Sequence, residues 1–315
     1  YSGTMRLGVL DIGSNTVHVL VVDAHPGARP SPAAGDRSVV RLMQYLTEEG
    51  EINEAGRAAL RTAVQKAVNF VRSFGVDDFI GMCTSALREA KNGPETIAEL
   101  EQISGIKLAV LSGKEEADLT FLAARRWHGW AAGRLLVLDI GGGSFEVAYG
   151  LDEAPEFSTS LPLGAGRLTH AYLQHDPPTL AEMEELRQYI KEEMKSLKQI
   201  VKQLPKPDHT VATSKTFRSL ARLGGQLVAV VGPQERRRLT RVDLEDWTGR
   251  LWKIPASARL ELPGITPERT YQIVAGAEVA WRAMKTLKVR TIEICPWALR
   301  EGAILNYLDK EYPFN

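Results

Sequence analysis

Asp11-Ile12-Gly13-Ser14-Asn15-Thr16-Val17-His18-Val19 and Asp139-Ile140-Gly141-Gly142-Gly143-Ser144-Phe145-Glu146-Val147 align without a gap. Each copy reads as a strand ending in Asp, a tight turn and a return strand. Each opens a series of three strands followed by strand–helix units. Two similar α/β domains follow, residues 5–130 and 131–315, with the boundary near Gly129 to Gly133. The last helix is expected to pack back on the first domain.

Arg6–Asp11, Thr16–Asp23 and Val39–Tyr45 read as an antiparallel meander. The Pro- and Gly-bearing stretch 26–37 reads as a loop. Asn53 caps a helix to Phe74, with Gly75 as its stop. The strands Phe79–Thr84 and Ile106–Leu111 alternate with helices over Ser85–Ala90, Pro94–Ser104 and Gly113–His128, the pattern of parallel βαβ units. In the second half, strands are expected at Leu135–Asp139, Phe145–Tyr149, Phe157–Leu161, His209–Thr213 and Thr291–Cys295. Helices are expected at Ala165–Leu173, Leu180 to about Gln203, Thr216–Leu223, Pro267–Leu287 and Trp297–Asp309.

The bulk numbers exclude several function classes. The 315 residues are 44% hydrophobic and 25% charged, and 39 Lys plus Arg balance 39 Asp plus Glu. Zero net charge argues against a nucleic-acid partner. No apolar run approaches the ~18 residues of a membrane span and no signal peptide is recognisable, so a cytoplasmic protein is expected. Cys83 and Cys295 end apolar runs and read as buried free thiols. Residues 1–4, ahead of Met5, read as an expression remnant.

The repeat has a chemical meaning. A Gly-rich turn exposes successive backbone N–H groups that can close on phosphate oxygens. The Asp that ends the first strand, Asp11 in one copy and Asp139 in the other, can hold Mg2+ there. Two ordinary turns are the alternative. Further candidates surround the turns. Ser112-Gly113-Lys114-Glu115-Glu116-Ala117 starts a helix with adjacent carboxylates, about 100° apart, so only one can face a given cleft. That one could deprotonate water, or both could simply complement the helix start. Glu146 alternates with Phe145 and Val147, so it points to a metal-bearing cleft or to solvent. The junctions Thr84-Ser85-Ala86-Leu87-Arg88 and Thr213-Ser214-Lys215-Thr216-Phe217-Arg218 place hydroxyls and cations where they could cap a helix or grip phosphate. Trp297-Ala298-Leu299-Arg300-Glu301 repeats part of the first. His175-Asp176, followed by two prolines, reads as a loop. Arg236-Arg237-Arg238 reads as a solvated face or a polyanion track. No P-loop and no convincing Ser-His-Asp order is present.

These motifs, together with Leu161-Pro162-Leu163-Gly164-Ala165-Gly166-Arg167-Leu168, resemble the exopolyphosphatase and guanosine-pentaphosphate phosphohydrolase family, in detail its short actinobacterial branch. They occur in family order from Met5 onward. The resemblance implies two actin-like (ribonuclease H-like) α/β domains with mixed sheets and an interdomain cleft. It implies hydrolysis of the terminal phosphate of inorganic polyphosphate, with guanosine pentaphosphate as the alternative substrate, and Mg2+ or Mn2+ as cofactor. Glu116 becomes the expected base, and Asp139 and Glu146 belong to the metal and water site. Gly13, Ser14 and Asn15, with Gly141, Gly142, Gly143 and Ser144, are expected to hold phosphates. Arg88 and Arg167 match positions near the anion, and Lys215 adds a cation at its junction. A homodimer is an expected assembly. Longer members append helical C-terminal domains, so action on shorter chains is expected here. A kinase of the same superfamily, requiring ATP and an acceptor, and a non-catalytic polyphosphate sensor are the rival readings.

Overall fold

The computed structural model describes residues 4–25, 27–228 and 236–311. Residues 1–3 of the expected remnant, Pro26 of the expected loop and residues 232–235 ahead of the Arg236–Arg238 run lie outside them. The chain divides into two compact units, residues 1–119 with 299–315, and residues 120–298.

In the first unit, β1 (Met5–Ile12), β2 (Thr16–Ala24) and β3 (Ser31–Val39) form the meander, and α1 (Glu54–Ser73) follows. The Asn53 side chain accepts the Gly56 N–H and caps α1. Next come β4 (Asp78–Cys83), α2 (Ser85–Glu89), α3 (Gly93–Ser104), β5 (Leu108–Val110) and α4 (Gly113–His128), which runs into the second unit. Strand order is β3-β2-β1-β4-β5, with β1 antiparallel to β2 and parallel to β4. β1 is apolar on both faces because both are covered. Leu10 and Ile12 join Leu60, Val64 and Val68 of α1 in one core. Leu7 and Val9 face the other way, into a smaller core.

The third strand lies where a loop was expected, and of the expected strand Val39–Tyr45 only Val39 is strand, ending β3, while Leu42–Tyr45 form a 3-10 turn. β3 is an edge strand, largely exposed, so it needs no apolar alternation and tolerates Pro32. Its pairing with β2 carries a bulge at Val21/Val22. Residues 40–42 turn inward because their N–H groups bond the carbonyls of Ser14 and Asn15.

The second unit repeats the plan. β6 (Leu135–Ile140), β7 (Phe145–Gly150) and β8 (Phe157–Leu161) form its meander. Then come α5 (Ala165–Tyr172), α6 (Leu180–Glu193), α7 (Lys198–Gln203), β9 (His209–Ala212) and α8 (Lys215–Gly224). β10 (Gln226–Val228), β11 (Arg236–Thr240), α9 (Arg241–Leu251), α10 (Ala256–Arg259), α11 (Ile273–Thr286) and β12 (Thr291–Ile294) complete it. The order β8-β7-β6-β9-β12 matches β3-β2-β1-β4-β5, with β11 and β10 added at the far edge. Both sheets are mixed, each an antiparallel meander extended by parallel strands.

Two expected helices differ in the structure, whereas the Arg236–Arg238 run is largely exposed, as a solvated face would be. It forms β11, hydrogen-bonded between β10 and β12, with Arg238 donating to Glu293 at 3.3 Å. The helix expected over Leu180–Gln203 is interrupted by a 3-10 turn at Met194–Leu197. Met194, Leu197 and Ile200 are buried at three-residue spacing, the period of that tighter helix. The helix expected from Pro267 begins at Ile273, because residues 267–272 form turns around Thr270. The Thr270 carbonyl accepts from the Arg259 guanidinium, and its hydroxyl donates to the Ala256 carbonyl at 2.6 Å.

The last helix, α12 (Leu299–Glu311), belongs to the first unit. Its Ile304 and Leu308 close the smaller core over Leu7, Val9, Val22 and Met82.

Candidate active site

Both repeat turns close in the same way. The Gly13 N–H donates to the Thr16 carbonyl at 3.0 Å, and the Gly141 N–H to the Ser144 carbonyl at 2.9 Å. Strand register then fixes what stands beside each Asp. In the second unit, Asp139 of β6 faces Glu146 of β7, which faces Ser160 of β8. In the first unit the same row reads Asp11, His18 and Arg37. Two carboxylates therefore adjoin in one row, whereas one carboxylate sits among basic groups in the other.

The second-unit row is buttressed. The Thr213 hydroxyl donates to Asp139 Oδ2, and the Ser160 hydroxyl donates to Glu146 Oε1 at 2.7 Å. Glu146 is only 5% exposed. A charged carboxylate at that depth requires hydrogen-bond donors or a cation. Among the described residues no group of three or more His, Cys, Asp or Glu side chains is clustered to hold a metal. Mg2+ does not need such a cage, since it retains waters and takes one or two carboxylates plus substrate phosphates. The paired carboxylates of Asp139 and Glu146 fit that demand. Asp11 fits it less well, because Arg300 Nη1 lies 3.6 Å from its Oδ2.

The glycine turn of the second unit rests on the start of α5. The N–H groups of Ala165 and Arg167 donate to the carbonyls of Gly141 and Gly142, each at 2.9 Å, and Arg167 Nε donates to the Gly143 carbonyl at 2.6 Å. Gly164 makes this approach possible. A Cβ there would lie 2.2 Å from the Gly143 carbonyl carbon and 2.4 Å from the Gly142 oxygen. Ser144 is buried beside the turn. At the junction after β9, Ser214 takes a left-handed conformation (φ 49°), and its hydroxyl caps α8 by accepting the Phe217 N–H at 3.3 Å. Lys215 is the first residue of that helix and is half-buried.

In the first unit, the Ser14 hydroxyl is hydrogen-bonded to that of Ser85 at 2.9 Å, which ties the glycine turn to the start of α2. The adjacent carboxylates of α4 have separate surroundings. Glu115 is exposed, and its N–H and carboxylate both engage the Ser112 hydroxyl, which caps the helix. Glu116 is 6% exposed and accepts from Arg88 Nη1 at 2.7 Å. The same Nη1 donates to the Leu111 carbonyl, so Arg88 ties the carboxylate to the end of β5.

The structure thus brings Glu116 and Arg88 together, with Asp11 and Gly13–Asn15 in the same unit. It brings Asp139, Glu146, Gly141–Ser144 and Arg167 together in the other. Sequence reasoning did not find Ser160 or the contact of Thr213 with Asp139. Only the strand register discloses the first. The second was visible as a hydroxyl at a βα junction, where capping was an equally good explanation. His175-Asp176 is a loop as expected, and Asp176 there accepts from the Ala256 N–H and from Arg259.

A sequence model of the Ppx/GppA phosphatase family matches residues 20–311. Over 307 residues the chain is 46% identical to Exopolyphosphatase 1 of Mycobacterium tuberculosis, covering 98% of this chain and 89% of that protein. It is also 46% identical to Exopolyphosphatase 1 of Mycobacterium leprae, covering 98% and 91%. Among solved structures, an exopolyphosphatase from Cytophaga hutchinsonii matches with a TM-score of 0.86 at 25% identity, covering 97% of this chain and 98% of that one. The Aquifex aeolicus Ppx/GppA family member shares the fold, with a TM-score of 0.77 at 22% identity, covering 99% and 100%.

Proposed function

The chain belongs to the Ppx/GppA phosphatase family, and from that premise we propose that it is an exopolyphosphatase, releasing the terminal phosphate of inorganic polyphosphate by attack of water. The observation that carries this reading is the Asp139–Glu146 pair, opposed across two strands beside a glycine turn. Phosphoryl transfer asks a protein for positioning and charge neutralisation more than for covalent chemistry. The N–H groups of Gly141–Ser144 and of Gly13–Asn15 are suited to hold phosphate oxygens. Arg88, Arg167 and Lys215 add positive charge. Asp139 and Glu146 would hold Mg2+ or Mn2+, which supplies neutralisation of the phosphoryl oxygens when bound.

Glu116 is the proposed general base. It orients a water and takes its proton while the water oxygen bonds the terminal phosphorus. The bond from that phosphorus to the bridging oxygen breaks, and the shortened chain leaves with the bridging oxygen. Arg88 is a positioning residue for Glu116, through the contact at 2.7 Å.

No helix among the described residues is long and apolar enough to cross a membrane. The buried free thiols of Cys83 and Cys295 suit a reducing compartment, which supports a cytoplasmic setting. Burial raises the Cys83 thiol to about 12, so it stays protonated and unreactive.

The test is phosphate release across polyphosphate lengths, with Mg2+ present and with it chelated, and with guanosine pentaphosphate in parallel. Release from polyphosphate that stops on chelation is expected. No release from any length would overturn the reading, and a preference for guanosine pentaphosphate would favour the alternative substrate. Sedimentation of the same preparation tests the expected homodimer.

A further inference from the structure

At the other end of the seven-stranded sheet the second unit holds a cavity of about 880 Å3. It is lined near the starts of three parallel strands, by Leu136 of β6, His209 of β9 and Thr291 of β12. Asp139 and Thr213 stand at the opposite, C-terminal ends of β6 and β9. The cavity therefore shares a sheet with the paired carboxylates but not their site.

Its wall has two parts. Leu136, Tyr149, Ile200, Leu287 and Val289 line it as a buried apolar floor. Lys206, Arg241, Lys288 and Arg290 supply four cations. Among the described residues, none of these four side chains has a hydrogen bond or ion pair. The acids in the lining are committed elsewhere. Asp208 accepts the Arg134 N–H at 2.7 Å, and Glu293 accepts from Arg238 at 3.3 Å, with the His209 ring at 4.0 Å. Lys206, Lys288 and Arg290 are solvent-exposed and Arg241 is half-buried, so all four can meet an anion that lays apolar surface on the floor.

Lys288 adds an independent observation. It follows the end of α11 with φ 55°, a left-handed position at which glycine is free of strain. The Val289 N–H bonds the Met284 carbonyl at 2.8 Å across this turn, so the geometry is that of a helix end that usually selects glycine. The backbone gains nothing from a lysine there. The amine that the residue brings to the cavity is the gain.

We propose that this cavity binds a small organic phosphate, its apolar body on the floor and its phosphates among Lys206, Arg241, Lys288 and Arg290. The volume lies within the range of pockets that take small organic ligands and has room for a nucleoside diphosphate. An inorganic anion would leave the floor unused.

The experiment is calorimetric titration of the full chain with ADP and, separately, with inorganic pyrophosphate. ADP is expected to bind about tenfold or more tighter than pyrophosphate. The double variant Lys288→Ala/Arg290→Ala is expected to weaken ADP by about tenfold or more, while its phosphate release from polyphosphate stays within about twofold of wild type. Asp139→Asn should leave ADP affinity unchanged. Lys288→Gly should weaken ADP yet raise the melting temperature of the unliganded protein, a combination that damage to the fold cannot produce. The proposal is overturned if ADP fails to bind at about 1 mM, if the double variant binds it as wild type does, or if pyrophosphate binds equally well. Loss of ADP binding in Asp139→Asn also overturns it, by placing the ligand at the catalytic end.

Discussion

Asp139 faces Glu146 across β6 and β7 at the register position where Asp11 faces His18 across β1 and β2. The repeat is therefore symmetric in backbone and asymmetric in charge. Two carboxylates side by side repel unless a cation joins them, whereas Asp11 already has the guanidinium of Arg300 at 3.6 Å. Asp139→Asn or Glu146→Gln should raise the Mg2+ concentration needed for half-maximal phosphate release, by about tenfold or more. Asp11→Asn should shift it less. Thr213→Val, which removes the donor to Asp139, should shift it in the same direction as Asp139→Asn. Equal shifts for Asp11→Asn and Asp139→Asn would place the cation requirement on both units.

Glu116 and Glu115 are neighbours with opposite surroundings, one buried under Arg88 and one exposed on a helix cap. Glu116→Gln should lower kcat by about 10²–10⁴ with the melting temperature retained. Glu115→Ala should cost a cap of about 1 kcal/mol and little rate. Arg88→Ala should lower kcat more than it raises KM, because Arg88 positions the base. Wild-type turnover in Glu116→Gln would remove it from the chemistry.

The turn Gly141–Ser144 is held by α5 through a contact that admits no side chain at Gly164. Gly164→Ala should destabilise the second unit by about 3 kcal/mol, since the obstacle is backbone and cannot swing away. Gly141→Ala meets only the Ser144 oxygen, at 3.4 Å, and should cost much less. Urea unfolding of the two variants separates these outcomes.

How much of this was legible in the sequence depended on where each residue's constraint comes from. The Asp-Gly turns were legible because strand, turn and return strand each need particular residues in fixed order. The Asn53 cap and the Gly75 stop were legible for the same reason. β3 was not, because an edge strand exposed to water accepts Pro32, Gly35 and Asp36 without an alternating pattern. β11 was masked by its arginines, which lie at the strand surface while Leu239 alone is fully buried. Ser160 reached Glu146 only through register, which no local pattern encodes. The two roles within Glu115-Glu116 were posed by helix geometry but decided by Arg88, twenty-eight positions away in the chain.

Glu182 offers a pH test remote from the chemistry. Burial alone would raise its carboxyl, but the Thr179 N–H, the His175 ring and the Gln174 N–H together bring it down to about 2. A carboxyl depressed on folding adds stability above its ordinary value of about 4.5, and that stability is lost as pH falls toward about 2. Glu182→Gln should therefore be less stable than wild type by about 1 kcal/mol at pH 7. The difference should shrink toward zero between about pH 4.5 and pH 2. A difference unchanged by acid would mean that the carboxylate charge is irrelevant to the cap.

Helix α12 closes the small core over Leu7 and Val9, yet it is made after every residue of the second unit. On the ribosome, one greasy side of β1 therefore stays bare until the whole second unit and then α12 have been made. A chaperone, or the nascent chain's own transient collapse, must shield that side in the interval. Stalled or prematurely ended chains should accumulate as aggregates seeded by the first unit, even though its own strands are all present.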